Sequence, residues 1–218
     1  MKLEAIRNEV ENIVDDASFD ADTIDGYIND TLALVAGQIN LPSLKRIGTV
    51  DTVVSQAYTS LNGVSRSFSG VLRRVKKADG SEPTVYPDLE RLMDDYYDMD
   101  AEGAVEAVTL EGSVLWYQKV PSIPETLTIL YYENPSPLFK DEDEPSDFPA
   151  YLHRKLFVHG TAFIIFDKIE DGVEGEKINA KSHYFHSLDS RNRDSGINKL
   201  REWLARTTPH HISSVWRY

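Results

Sequence analysis

Cysteine is absent from the sequence. That excludes disulfide staples, thiolate nucleophiles and cysteine-ligated zinc or iron–sulfur centres, and it fits folding in a reducing cytoplasm. Long apolar runs are also missing. A run such as residues 162–166 falls far short of the roughly 20 residues a membrane span requires, so no membrane partner is expected. The opening Met1-Lys2-Leu3-Glu4 has no apolar core of a secretory signal. Positive charge is scarce: 23 Lys and Arg face 36 Asp and Glu, a net −13. The deficit is uneven. Residues 174–218 carry 8 cations and 5 carboxylates (+3), which leaves 15 and 31 (−16) for residues 1–173. Affinity for nucleic acid comes mainly from neutralising phosphates with Lys and Arg. Tight DNA binding is therefore not expected, whereas a surface past which DNA slides is compatible with this balance.

What is present is an ordinary globular composition, 41% hydrophobic and 27% charged. Its 218 residues suit one domain, or one domain with an elaborate insertion. Leu3, Ile6, Val10, Ile13 and Val14 fall on one stripe of a helix. Asp20 is placed to cap a second helix, with Phe19 and Ile24 at the spacing of a hydrophobic staple. Ile24, Ile28, Leu32, Val35 and Ile39 carry that stripe on, and Leu41-Pro42 ends it. Between residues 50 and 134 the pattern turns to strands. These are residues 50–54, 68–75 with an Asp79-Gly80 turn, 105–110 and 114–117 around Glu111-Gly112-Ser113, and 127–132. Residues 87–93 predict one or two helical turns. After an acidic, proline-rich loop at 133–146, an apolar helix is expected from Asp147 to about Glu170. Ser146 or Asp147 would cap it, Pro149 would sit in its first turn, and Leu152, Leu156, Phe163 and Phe166 would form one face. A polar helix over about 175–193 and a short one over 196–205 follow. The expected fold class is α+β. A mainly helical core of two N-terminal and two or three C-terminal helices holds an inserted small antiparallel β subdomain and ends in an extended C-terminal tail. The expected divisions are 1–45, 46–134, 135–205 and 206–218.

Catalytic signatures are missing. There is no G-x-S-x-G, no P-loop and no G-x-G-x-x-G. Asp20-x-Asp22-x-x-Asp25-Gly26 resembles a calcium loop only superficially, because Ile24 stands at the fifth position, where an oxygen ligand is needed. A cap is the better reading. His153 and His159 are six apart, the wrong spacing for one helix face. His183 and His186 have the right spacing but no third ligand nearby. The run 141–144 reads as a solvated loop and not as paired acid–base carboxylates. No cofactor, no metal and no catalytic residue is therefore expected. A hydrolase using acidic side chains and histidines is the alternative from another class, and a deep pocket with converging carboxylates would favour it. A carbohydrate-binding module rests only on Trp116, Tyr117, Tyr131 and Tyr132, which read more simply as packing. The tail stands out. Trp203, Trp216 and Tyr218 are residues of the kind that anchor interfaces, and residues 212–218 are compatible with adding a strand to a partner.

Three stretches resemble the head–tail adaptor, or neck, proteins of tailed bacteriophages. The first is Ile6-Arg7-Asn8-Glu9-Val10 with Asp16-Ala17-Ser18-Phe19, Ile24 and Tyr27-Ile28-Asn29. The second is Leu41-Pro42-Ser43-Leu44. The third is Tyr131-Tyr132-Glu133-Asn134-Pro135, the acidic loop, and Phe148-Pro149-Ala150-Tyr151-Leu152-His153. They span about residues 5–45 and 130–165. The resemblance implies a non-enzymatic virion protein. It implies a ring of twelve copies between capsid and tail, bound to the portal above and to tail or nozzle proteins below, and continuing a DNA channel without sequence-specific contacts. Another neck or tail-completion component is the nearest alternative. On this view Trp203, His210, His211, Ile212, Val215, Trp216, Arg217 and Tyr218 meet the portal. The −16/+3 split further suggests that Lys177, Lys181, Arg191 and Arg193 meet the acidic body of a neighbouring copy.

Overall fold

The computed structural model describes residues 1–16, 18–62, 68–169, 188–189 and 191–207. The chain is α+β and divides into two compact units: Met1–Ile39 with Pro135–Tyr218, and Asn40–Asn134. Each is taken in turn.

The helical unit opens with α1 (Leu3–Val14), which buries Leu3, Ile6, Val10 and Val14. It stops at Asp15, whose left-handed φ of 45° lets its N–H bond the Glu11 carbonyl. Asp20 caps α2 (Ala21–Gln38) by accepting the Thr23 N–H at 2.8 Å. The buried stripe of α2 is Ile24, Ile28, Thr31, Leu32 and Val35. The returning helix departs from its expected start. Phe148, preceding a proline, is held out of the helical region, and Pro149 itself is extended at ψ 129°. Helical structure therefore begins after Pro149, with a 3₁₀ turn at Ala150–Leu152, a π turn at Arg154–Val158 and then α4 (His159–Ile169). The π turn rotates the buried face, so Leu156, Phe157 and Val158 are all buried in succession.

Residues 188–189 and 191–195 form turns instead of the end of a long helix. Asp189 and Asn192 accept the N–H groups of Arg191 and Asp194, two residues on, the local bonding by which Asx side chains compete with a helix. Ser195 then accepts the Asn198 N–H, and α5 (Gly196–Thr207) follows with Ile197 and Leu200 buried.

The second unit begins with a 3₁₀ turn at Pro42–Leu44 and packs two sheets. One has the order β1 (Lys45–Asp51), β7 (Thr126–Glu133), β3 (Phe68–Lys77), antiparallel throughout. The other has the order β2 (Tyr58–Ser60), β6 (Val114–Tyr117), β5 (Ala107–Glu111), β4 (Thr84–Tyr86). The β5–β6 hairpin turns at Gly112, φ 60°. β4 and β5 are parallel, because the connection between them carries α3 (Leu89–Asp95), capped by Asp88. Leu61, Val75, Val105, Val108, Leu115, Tyr117, Leu127, Ile129 and Tyr131 make the core between the sheets. Val53 and Val54 were candidates for a strand. They lie instead in the turn after β1, where Ser55 takes φ 62°. Pairing with β7 selects residues 45–51 over the more β-branched residues that follow.

α2 and α4 meet where side chains are smallest. A Cβ on Gly160 would lie 2.9 Å from Thr31 Cγ2 and 3.2 Å from Leu188 Cδ2. Beside it the Thr31 hydroxyl donates to the Tyr27 carbonyl at 2.8 Å, leaving the Thr161 hydroxyl to donate to it across 3.0 Å. Gly160→Val should cost about 1–3 kcal/mol by overpacking, read from urea unfolding. A midpoint equal to the parent's would show that this crossing is not tight.

Candidate functional site

Those residues of the sequence resemblance that belong to the helical unit converge on the seam of α1, α2, the acidic loop and the returning helix, whereas Leu41–Leu44 and Tyr131–Asn134 belong to the second unit. Helix α1 lacks a side-chain cap: Lys2 precedes it and offers none. Its first N–H groups still need acceptors. The loop supplies them, with the Asp143 carbonyl taking the Leu3 N–H at 2.8 Å and the Asp141 carbonyl taking the Glu4 N–H at 3.3 Å. The loop is itself braced. The Asp143 carboxylate accepts the N–H groups of Phe139 and Lys140, both at 2.9 Å. These bonds hold its acid below the ordinary carboxylate range, with the Lys140 bond the stronger cause.

Arg7 joins the pieces. Its guanidinium forks onto Asp25, Nε to Oδ1 at 2.8 Å and Nη2 to Oδ2 at 2.6 Å, and Nη2 also reaches Asp141 Oδ1 at 2.9 Å. The bond to Asp25 is the main cause of a guanidinium pKa above its ordinary value. The Arg7 and Asp25 side chains are only 15% and 19% exposed. Asn29 fixes the loop from α2, its amide donating to and accepting from the backbone of Leu138 at 3.0 and 2.8 Å. On the far side of the seam, Phe148 and Phe157 pack edge to face at 5.0 Å. The buried His153 donates from Nε2 to the Phe148 carbonyl at 3.0 Å, leaving Nδ1 to accept from the Met1 amino group at 2.7 Å. Burial pushes its imidazole below the ordinary histidine value.

A cleft of about 260 Å³ lies along this loop, lined by Leu32, Pro135, Pro137, Asp143, Glu144 and Asp147 among others. A general acid working near neutrality needs a raised pKa, and Asp143 is shifted the opposite way. Among the described residues no group of three or more His, Asp or Glu side chains stands ready for a metal. Asp20 is occupied as a helix cap.

The sequence matches the SU10 adaptor protein family over residues 1–208. The chain belongs to that family. It is thus a phage adaptor, a structural protein of the virion. The match runs through both units, well beyond the stretches that carry the resemblance. No curated protein matches the sequence.

The residues expected at interfaces are only partly described. Trp203 is half-buried on α5, and Arg191 and Arg193 are exposed in the turns before it. Arg191 Nε lies 3.1 Å from Asp189. Lys177, Lys181, His183, His186, His210, His211, Ile212, Val215, Trp216, Arg217 and Tyr218 lie outside the described residues.

Sequence reasoning did not single out Arg7, Asp25 or Asn29 as a network. One signal was there: before Lys45 the only cations are Lys2 and Arg7, against nine carboxylates. With so few cations in such a stretch, each has more than one carboxylate to hold. Arg7→Ala should lower stability by about 2–3 kcal/mol, between the values for exposed and fully buried pairs. Arg7→Lys should recover only part, since an ammonium cannot fork. Chemical denaturation checks both, and an Arg7→Ala midpoint equal to the parent's would falsify the role.

His153 gives a pH dependence. Its folded pKa is depressed, so its contribution is fully present above the unfolded value of about 6.5 and is lost as pH falls toward the folded value. Between about pH 7 and 5, adaptor stability should fall more steeply in the parent than in His153→Gln, which keeps a donor for Phe148. Parallel slopes in urea unfolding would show that another group dominates.

Proposed function

We propose that this adaptor forms a ring of twelve copies beneath the portal, joins capsid to tail, and continues the channel through which the genome passes. Family membership across both units carries this reading. The charge balance supports it: a body with 31 carboxylates and 15 cations over residues 1–173 repels phosphate, which suits DNA passing without sequence-specific binding. The protein acts by binding and not by catalysis. Trp203 and the residues after it, His210, His211, Ile212, Val215, Trp216, Arg217 and Tyr218, reach the portal, with the two tryptophans as anchors. Tail or nozzle proteins bind the opposite end. Lys177, Lys181, Arg191 and Arg193 face carboxylates of the neighbouring copy.

Cryo-electron microscopy of the adaptor mixed with the portal of the same phage tests this. The expected result is a twelvefold ring with residues 208–218 laid against the portal. Removing residues 208–218 should reduce portal binding by at least about 100-fold, as expected for loss of an anchoring aromatic cluster. A truncated chain that binds the portal like the parent would remove the tail from the interface. A chain that stays monomeric and ignores the portal would end the adaptor-ring reading.

A further inference from the structure

The β unit is electrically bipolar. Six of the cations in residues 1–173 lie on two strands, β1 (Lys45, Arg46) and β3 (Arg73, Arg74, Lys76, Lys77), where the one carboxylate is Asp51. Most of them face away from the core. On β7, Leu127, Ile129 and Tyr131 point inward, so Thr128, Leu130 and Tyr132 point out. The register sets Lys45 opposite Tyr132, Ile47 opposite Leu130, and Arg74 and Lys76 opposite Leu130 and Thr128. The pairing shifts between Leu72 and Arg74. This bulge brings Arg73 to the same outer face, where its guanidinium sits 5.6 Å from the Tyr132 ring centroid. Arg74 is neutralised by Glu82. Among the described residues no ion pair is formed by Lys45, Arg73 or Lys76. On the edge strand β1, level with Leu130 of β7, stands Ile47, 73% exposed.

The opposite layer of the unit is acidic. α3 covers the outer face of the four-stranded sheet, where the Tyr86 hydroxyl donates to Asp95 and its ring packs edge-on against Tyr96. From Asp88 to Glu102 the chain has seven carboxylates and one cation, Arg91. Asp94, Asp98, Asp100 and Glu102 are exposed. Met93 and Tyr97 stand among them, 52% and 95% exposed.

We infer that the outer face of the β1–β7–β3 sheet docks the 88–102 segment of a second copy of this chain. A cationic face with an exposed isoleucine meets an anionic face with two exposed apolar side chains, on opposite layers of one unit. Identical chains with complementary opposite faces associate head to tail. The exposed Ile47 favours this occupant over a polyanion: phosphate gains nothing from an isoleucine, whereas Met93 or Tyr97 covers it. The inference rests on the ring reading above and assigns that ring a contact within the β unit.

Charge reversal tests it. Lys45, Arg73 and Lys76 are changed to Glu in one variant, Asp94, Asp98 and Asp100 to Lys in a second, and all six in a third. Thermal unfolding confirms that each folds. Assembly is followed by mass photometry and sedimentation, with and without the portal of the same phage. Each single-face variant should self-associate at least about 100-fold more weakly than the parent. The six-residue variant should assemble again, as should an equimolar mixture of the two single-face variants. Ile47→Lys should also weaken assembly while leaving folding intact. If the parent forms rings and the single-face variants form them equally well, the inference is wrong and the ring reading stands. If the parent forms no higher species under any condition, both fall. If the sheet variant assembles normally but loses binding to a labelled DNA duplex, the face belongs to nucleic acid and the inference is overturned.

Discussion

A single guanidinium, that of Arg7, joins three separated parts of the helical unit. It stands on α1, forks onto Asp25 of α2, and reaches Asp141 in a loop more than a hundred residues further along the chain. Two rigid helices and one irregular segment are thereby held in register by a planar group whose donors have fixed directions. The rest of the seam depends on that placement. Only with the loop held there can its carbonyls meet the orphan N–H groups of an uncapped α1. Asn29 then closes a second clamp on the same loop. A partly buried ion pair is poor evidence for stability in general. Here it has a different use: it fixes which loop conformation accompanies which helix packing.

The returning helix shows how the sequence meets a second constraint. A proline at 149 fixes where helical geometry starts. Downstream, Gly160 lies against Thr31 and Leu188, where a Cβ would come within 2.9 Å of Thr31 Cγ2. The π turn at Arg154–Val158 lies between these two fixed points. It adds a residue to the turn, in a stretch where Leu156, Phe157 and Val158 are buried in succession.

Much of this architecture was legible in the sequence because it is local. The stripes of α1 and α2, the Asp20 cap, the Gly112 hairpin and the strand that became β7 all follow from spacing within a dozen residues. What was not legible is non-local. Strand β1 forms at Lys45–Asp51 because β7 pairs with it there, and propensity pointed a few residues downstream. Parallel β4 and β5 depend on α3 lying between them. Gln118, fully buried, holds residues 104–107 by accepting the N–H groups of Glu106 and Ala107 and donating to the Ala104 carbonyl. No pattern in the sequence announces such a clamp. The Asx turns at 189–194 were hidden for another reason: a polar stretch is compatible with a solvated helix until side chains are seen to take the backbone N–H groups.

The acidic balance of the whole chain conceals the polarity of one part. Averaged over residues 1–173 the cations are simply outnumbered. Folding sorts them, since strands β1 and β3 flank β7 on both sides and bring six cations onto one three-stranded sheet. An assembling structural protein has to avoid closing on itself in the wrong register. Apolar surface alone is non-directional, whereas opposed charge on opposite layers distinguishes head-to-tail contacts from head-to-head ones by like-charge repulsion. Two basic faces brought together would leave Lys45, Arg73 and Lys76 of both copies facing each other, and two acidic faces would do the same to Asp94, Asp98 and Asp100. Charge complementarity thus admits one orientation between the two faces, the one from which a cyclic assembly can be built.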